Sequence, residues 1–172
     1  MFRPAVPTTR IGSTLALFEL IFHASVRHIR KSNGNAIVGL LVSIAQSLVG
    51  IGVMLIMFWL IGRSMGNQLR GDYILYIMSG IFSFMAHAKA IKAVSSAEGP
   101  TSSMMKHAPM NTIVSVSAAA LSALYMQTLA AGVILFGYHA LWTPISIDQP
   151  VGVGVMYLLS WSSGIGIGLI FK

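Results

Sequence analysis

A run of 27 residues without a charged side chain, from Ala36 to Gly62, sets the first limit on the fold. An α-helix needs about 20 apolar residues to cross the hydrocarbon core of a bilayer. Further apolar runs follow at residues 73–91, 113–142 and 151–171. Four such runs predict an all-α integral membrane protein, in which residues 1–172 form a single transmembrane domain.

The composition supports a membrane protein. Charged residues make up only 9% of the chain and the mean hydropathy is +0.78, whereas a soluble domain carries about 25% charged residues. The net charge of +7 would also suit a nucleic-acid ligand, but membrane orientation accounts for it, so no nucleic-acid partner is expected. The chain has no cysteine, which excludes disulfides, thiolate chemistry and cysteine-based metal sites.

Residues 11–31 have the pattern of a two-faced helix, in which the charged and histidine side chains share one arc and apolar side chains occupy the other. Such a helix, with too many charges to span, is typical of the membrane interface. We therefore expect an N-terminal interfacial amphipathic helix; packing on a soluble domain is the alternative. The residues of the charged face are Glu19, His23, Arg27, Arg30 and Lys31.

The distribution of Lys and Arg predicts the orientation. Nine of them lie on the side that holds the N-terminus, the 92–112 connection and the C-terminus, and two, Arg63 and Arg70, lie on the other side. Because cytoplasmic loops carry the excess of positive residues, we expect a multi-pass protein with a cytoplasmic N-terminus.

The sequence offers little for catalysis or for energising transport. It has no GxxxxGK[ST] loop for ATP, and its five histidines lack metal-site spacing such as HExxH. The acids lie outside the spans or near their ends, while His87, Lys89 and Lys92 are expected to emerge into water from the second span. No ionisable residue is therefore expected at membrane depth, which favours an external energy source over secondary transport.

Several residues within the spans invite a more specific interpretation. Gln46, near the middle of the first span, suits either an interhelical hydrogen bond or the lining of a translocation path. Aromatic residues of the spans could stack on sugars or anchor the helices at the interface. The run Gly164-Ile165-Gly166-Ile167-Gly168 predicts close helix packing. The candidate lining residues are Gln46, Tyr76, Phe82 and Phe84.

The order of elements and several strings resemble the membrane subunit of type-2 ABC exporters, in particular the capsule and O-antigen polysaccharide permeases. The strings are the basic stretch 27–31 before the first span, Ser79–Phe84 in the second, Glu98 to Thr112 before the third, and Gly164–Phe171 in the fourth. The resemblance covers the earlier part of a family member, without its fifth and sixth spans. It therefore implies a partial ABC-2 type transmembrane domain that is C-terminally truncated.

The resemblance implies a bacterial inner-membrane transport subunit rather than an enzyme. Its partners would be a second copy of the chain, membrane lipid, a polysaccharide or lipid-linked glycan as substrate, and a cytoplasmic ABC ATPase that binds the ATP and magnesium. The connection 92–112 would be the cytoplasmic coupling loop that contacts the ATPase; a merely solvated loop is the alternative. The coupling residues would be Thr101, Ser102, Ser103, Met104, Met105, Lys106, His107, Pro109 and Met110.

Two other functions remain open at this point. A non-transporting membrane scaffold or assembly subunit needs the same spans and no transport path. An intramembrane enzyme would need a catalytic constellation, and the sequence shows none.

Overall fold

The structure is a computed structural model. It describes residues 16, 19–27, 35–61, 72–97, 112–142, 144–147 and 149–172. The described residues are helical or lie in short connections, and none of them is in a β-strand.

Four long helices follow a first helix, α1, which is described over residues 19–27. Each of the four is long and apolar enough to cross a membrane. At about 1.5 Å per residue the shortest is about 32 Å long, slightly more than the hydrocarbon thickness of about 30 Å. The four predicted spans are confirmed as helices: α2 (Ala36–Ile61), α3 (Tyr73–Ser95), α4 (Thr112–Leu141) and α5 (Pro150–Ile170).

Local sequence explains where three of these helices begin. The Asn35 side chain accepts a hydrogen bond from the Ile37 backbone N–H at 3.1 Å, and Asp72 does the same for Ile74 at 3.0 Å. Such side-chain caps satisfy backbone donors that have no partner within the helix. Pro150 occupies the first turn of α5, where its missing N–H costs nothing.

Helix α3 corrects the predicted end of the second span. It continues to Ser95, so residues 92–95 of the predicted loop are helical. The reason is packing, because Val94 is fully buried and lies directly against Gly168 of α5. Lys92 and Ala93 of this last turn also favour a helix.

Helix α3 lies at the centre of the bundle and packs against α2, α4 and α5. On the α2 and α4 side, an apolar core cluster includes Ile51, Ile81 and Phe82. On the α5 side the backbones approach so closely that a Cβ atom on Gly164 would lie 2.5 Å from the His87 carbonyl oxygen. The close packing predicted for the glycine run is thereby confirmed.

The helices alternate in direction, so that the bundle has two distinct ends. At one end, which we call the Lys172 end, the Lys172 ammonium donates to the Ala97 carbonyl oxygen at 2.7 Å. The opposite end, the Asp72 end, brings together the start of α3 and the end of α4 through a hydrogen bond from the Tyr138 hydroxyl to Asp72.

Candidate intramembrane polar site

Polar side chains from three helices form a continuous hydrogen-bonded chain inside the bundle. The Lys89 ammonium of α3 donates to the Gln127 Oε1 atom of α4 at 2.7 Å. The Gln127 Nε2 atom donates to the Ser47 hydroxyl of α2 at 3.4 Å, which donates to the Ser43 carbonyl oxygen at 3.0 Å. Gln127 and Ser47 are both 0% exposed. We call this arrangement the Lys89–Gln127–Ser47 chain.

The donors of this chain all point away from Lys89. A carbonyl oxygen can only accept, and an ammonium can only donate, so the order of the bonds fixes the direction of the Gln127 amide. Its oxygen faces the ammonium, and its nitrogen faces the serine. The dipoles of the chain therefore favour a positive charge on Lys89.

The chain lies deep in the span. Gln127 is close to the middle of α4, and Ser47 is close to the middle of α2. Lys89 lies six residues before the end of α3, yet its ammonium reaches Gln127 rather than the Lys172 end. A helical side chain is tilted toward the N-terminus of its helix, which directs Lys89 into the span.

This geometry corrects two expectations for the end of the second span. Lys89 is hydrogen-bonded to Gln127 inside the bundle, and an ionisable side chain does lie within a helix apolar enough to span a membrane. His87 also turns inward, whereas Lys92 is exposed as expected. Secondary transport is therefore no longer disfavoured by a lack of ionisable groups in the spans.

His87 belongs to a second polar group, which joins α3 to α5. Its Nδ1 atom lies 3.1 Å from the Ser160 carbonyl oxygen and 3.0 Å from the Ser163 hydroxyl oxygen. Because a carbonyl can only accept, Nδ1 carries the proton and donates. The Ser160 hydroxyl in turn donates to the Ser83 carbonyl oxygen at 2.7 Å. These bonds hold the two helices together where their backbones are closest.

The predicted lining residues lie in different environments. Gln46 is exposed, and Tyr76 and Phe84 are each 60% exposed. Phe82, in contrast, is 4% exposed and belongs to the apolar core cluster. The midspan amide that faces the interior is Gln127, not Gln46. A lining role for the other three stays a prediction.

The charged face of α1 is described in part. Glu19 and His23 are exposed and form an ion-pair geometry at 3.8 Å, and Arg27 is also exposed. On the opposite side, Ala24 packs against Val114 in the first turns of α4. Arg30 and Lys31 lie outside the described residues.

All the predicted coupling residues, Thr101 to Met110, lie outside the described residues. The two residues that flank the undescribed segment, Ala97 and Thr112, are described. Within the described ranges, no three His, Asp or Glu side chains come close enough to hold a metal ion.

Sequence reasoning missed Lys89 and Gln127 as a pair. Gln127 did carry a signal, because it lies near the middle of a long span among small residues. Lys89 gave no such signal, since a lysine near a span end ordinarily reaches the interface.

No family model matches this chain, and no curated protein or solved structure is significantly similar to it.

Proposed function

We propose that this protein is the permease subunit of an ATP-driven exporter, which moves a polysaccharide or lipid-linked glycan across the bacterial inner membrane. In this proposal two copies of the chain form the membrane part, and a separate cytoplasmic ABC ATPase supplies the energy. The family resemblance suggests the class of transporter. The geometric observation that carries the proposal is the gathering of helix ends at the Lys172 end.

Four parts of the chain meet at that end. Ala97, just beyond α3, shares an apolar cluster with Val116 of α4 and accepts the hydrogen bond from Lys172. Ala24 of α1 packs beside them on Val114 and Ala118. The end of α3 and the start of α4 therefore lie near α1 at this end of the bundle. A partner that contacts one of these parts has access to the others.

The charge at this end supports a cytoplasmic location. Three of the four described Lys and Arg residues, Arg27, Lys92 and Lys172, lie in the parts that meet there, while Asp72 lies at the opposite end. This asymmetry is the one expected of a cytoplasmic face. Helix α1 would lie along the same face, with the exposed side chains of Leu20, Phe22 and Val26 in the lipid interface.

Labelling of single cysteines tests this orientation. The wild-type chain has no cysteine, so Ser96→Cys and Ile147→Cys each provide one reactive thiol without background. Both positions are exposed. We expect a membrane-impermeant maleimide to label Cys at position 147 in intact spheroplasts, and to label position 96 only after the membrane is opened. The reverse pattern would place the Lys172 end outside and remove the basis for coupling there.

Export itself is tested by deleting the gene in the source cell and restoring it with variants. The wild type is expected to restore glycan on the cell surface and to co-purify with a subunit that carries an ATP-binding loop. Met104→Asp/Met105→Asp is expected to abolish both, because two carboxylates cannot enter an apolar contact without a large desolvation cost. Surface glycan is measured by lectin or antibody binding.

Ile147→Asp is the matched control, since it places a carboxylate at an exposed apolar position of the opposite end. It is expected to retain export and co-purification. If the double variant exports normally, residues 101–110 are not the coupling segment. If deletion of the gene leaves surface glycan unchanged while another membrane complex is lost, the scaffold function is the correct one.

A further inference from the structure

We infer that Lys89 binds an oxyanion, the phosphate group of a ligand, at membrane depth beside α4. This site is independent of the export proposal, because it is argued from the Lys89–Gln127–Ser47 chain alone. The site is expected whichever molecule the protein moves, and also if the protein moves none.

The ammonium of Lys89 has unused hydrogen-bonding capacity. An ammonium has three N–H donors, and Lys89 uses one of them on Gln127. Within the described ranges it makes no other hydrogen bond and no ion pair. Of the described acids, Glu19 faces His23 and Asp72 accepts from Tyr138 at the far end. Two donors of Lys89 therefore stay available to an incoming acceptor.

The Lys89–Gln127–Ser47 chain also favours a charged lysine. The Gln127 oxygen faces the ammonium, and every later donor in the chain points away from it. This orientation stabilises a cation and would gain nothing from an apolar side chain at position 89. An oxyanion on the free side of the ammonium would complete a charge-assisted set of hydrogen bonds.

A purely structural role explains only in part why position 89 is a lysine. Gln127 and Ser47 are already bonded to each other, so a methionine at position 89 would leave that contact in place. An ammonium within a span is costly to remove from water. The hydrogen bond to Gln127 returns part of this cost, and an anion bound to the two other donors would return more. Intramembrane ionisable residues commonly mark ligand or ion sites for this reason.

The ammonium of Lys89 is also accessible from outside the bundle. Gln127 and Ser47 are fully buried, but Lys89 itself is only partly buried. The ammonium is therefore held from the inside by the protein and remains reachable from outside. A compact ammonium binds phosphate or carboxylate as a point charge. The oxyanion could be carried by a transported molecule, by a lipid headgroup or by a soluble anion.

Binding to the full chain in phosphatidylcholine nanodiscs tests the site and separates these sources. Three probes are titrated by calorimetry: farnesyl phosphate with farnesol as its uncharged control, phosphatidylglycerol mixed into the nanodisc, and inorganic phosphate in the buffer. We expect wild type to bind at least one phosphate probe and not farnesol. Lys89→Gln is expected to weaken that binding by about tenfold or more, the value of one charge-assisted hydrogen bond.

Two control variants distinguish a folding defect from a binding defect. Lys89→Arg retains the charge and is expected to bind within about threefold of wild type. Lys92→Gln removes an exposed lysine of the same helix and is expected to bind as wild type does. Thermal unfolding of each variant shows whether the bundle is intact.

The outcomes separate cleanly. If only farnesyl phosphate binds, the ligand is amphiphilic. If phosphatidylglycerol binds, the ligand is a lipid headgroup. Either result supports the site if Lys89→Gln abolishes the binding. Equal binding by wild type and Lys89→Gln overturns it, as does the absence of binding by any phosphate probe. Loss of self-association instead of phosphate binding in Lys89→Gln also overturns it, because a partner carboxylate would then occupy the ammonium.

Discussion

Replacement of Gly164 by alanine is expected to lower the stability of the bundle by about 1–3 kcal/mol, as overpacking of a close-packed interior does. The added Cβ atom would lie 2.5 Å from the His87 carbonyl oxygen and 2.9 Å from the Ala90 Cβ atom. The first of these neighbours is backbone, so it cannot move aside alone. Helices α3 and α5 would have to separate, and the hydrogen bonds of His87 to Ser160 and Ser163 would lengthen.

Gly168→Ala is expected to have an effect of the same sign. There the Cβ atom would meet the Val94 Cβ atom at 2.8 Å and the Ile91 carbonyl oxygen at 3.0 Å. The two glycines are four residues apart and form the small-residue surface that lets transmembrane helices approach closely. Since both variants separate the same two helices, their combined effect is expected to differ from the sum of the single effects.

Gly166→Ala is the matched control within the same run. No atom lies within 4 Å of its would-be Cβ atom, and alanine favours a helix over glycine by about 1 kcal/mol. This variant is expected to be neutral or slightly stabilising. Unfolding by sodium dodecyl sulfate in mixed micelles, followed by far-ultraviolet circular dichroism, measures all three. Equal stability of Gly164→Ala and Gly166→Ala would contradict the observed approach of α3 and α5.

The long spans could be predicted from the sequence because length and apolarity are local properties. Ala36–Ile61 and Pro150–Ile170 each exceed the length that a bilayer requires, whatever they pack against. The glycine run was predictable for a similar reason, since three glycines in five residues remove side chains from one region of a helix. Neither inference needed knowledge of a neighbouring helix.

The interior site could not be predicted, because a helix that is apolar on every side does not show which side faces the protein. Gln46 and Ser47 are adjacent in α2, so about 100° of rotation separates them. The sequence favoured the larger polar group, Gln46, but Ser47 is the one that faces Gln127. Lys89 posed a related problem, since the choice between the interface and Gln127 depends on where α4 lies.

Gln127→Leu is expected to lower the stability of the bundle by about 2–3 kcal/mol, because it leaves a charged ammonium without its partner and removes the bond to the buried Ser47 hydroxyl. Leucine is close to glutamine in size, so little of this loss would come from a cavity. Lys89→Met is expected to cost about 1 kcal/mol or less, since it loses one hydrogen bond and also removes the cost of burying a charge. Ser47→Ala, which shortens the chain at its far end, is expected to cost about 0.6 kcal/mol.

The combination Lys89→Met/Gln127→Leu separates the interaction from the individual effects. Once the ammonium is absent, Gln127→Leu no longer leaves a charge unpaired, so the double variant is expected to be more stable than the sum of the single losses predicts. We expect a coupling of about 1 kcal/mol, within the range found between transmembrane helices. The same mixed-micelle unfolding measures the four members of the cycle. Additive losses, within about 0.3–0.5 kcal/mol, would mean that Lys89 does not depend on Gln127. In that case the ammonium would reach the membrane interface, and the geometry that supports an oxyanion site at membrane depth would be lost with it.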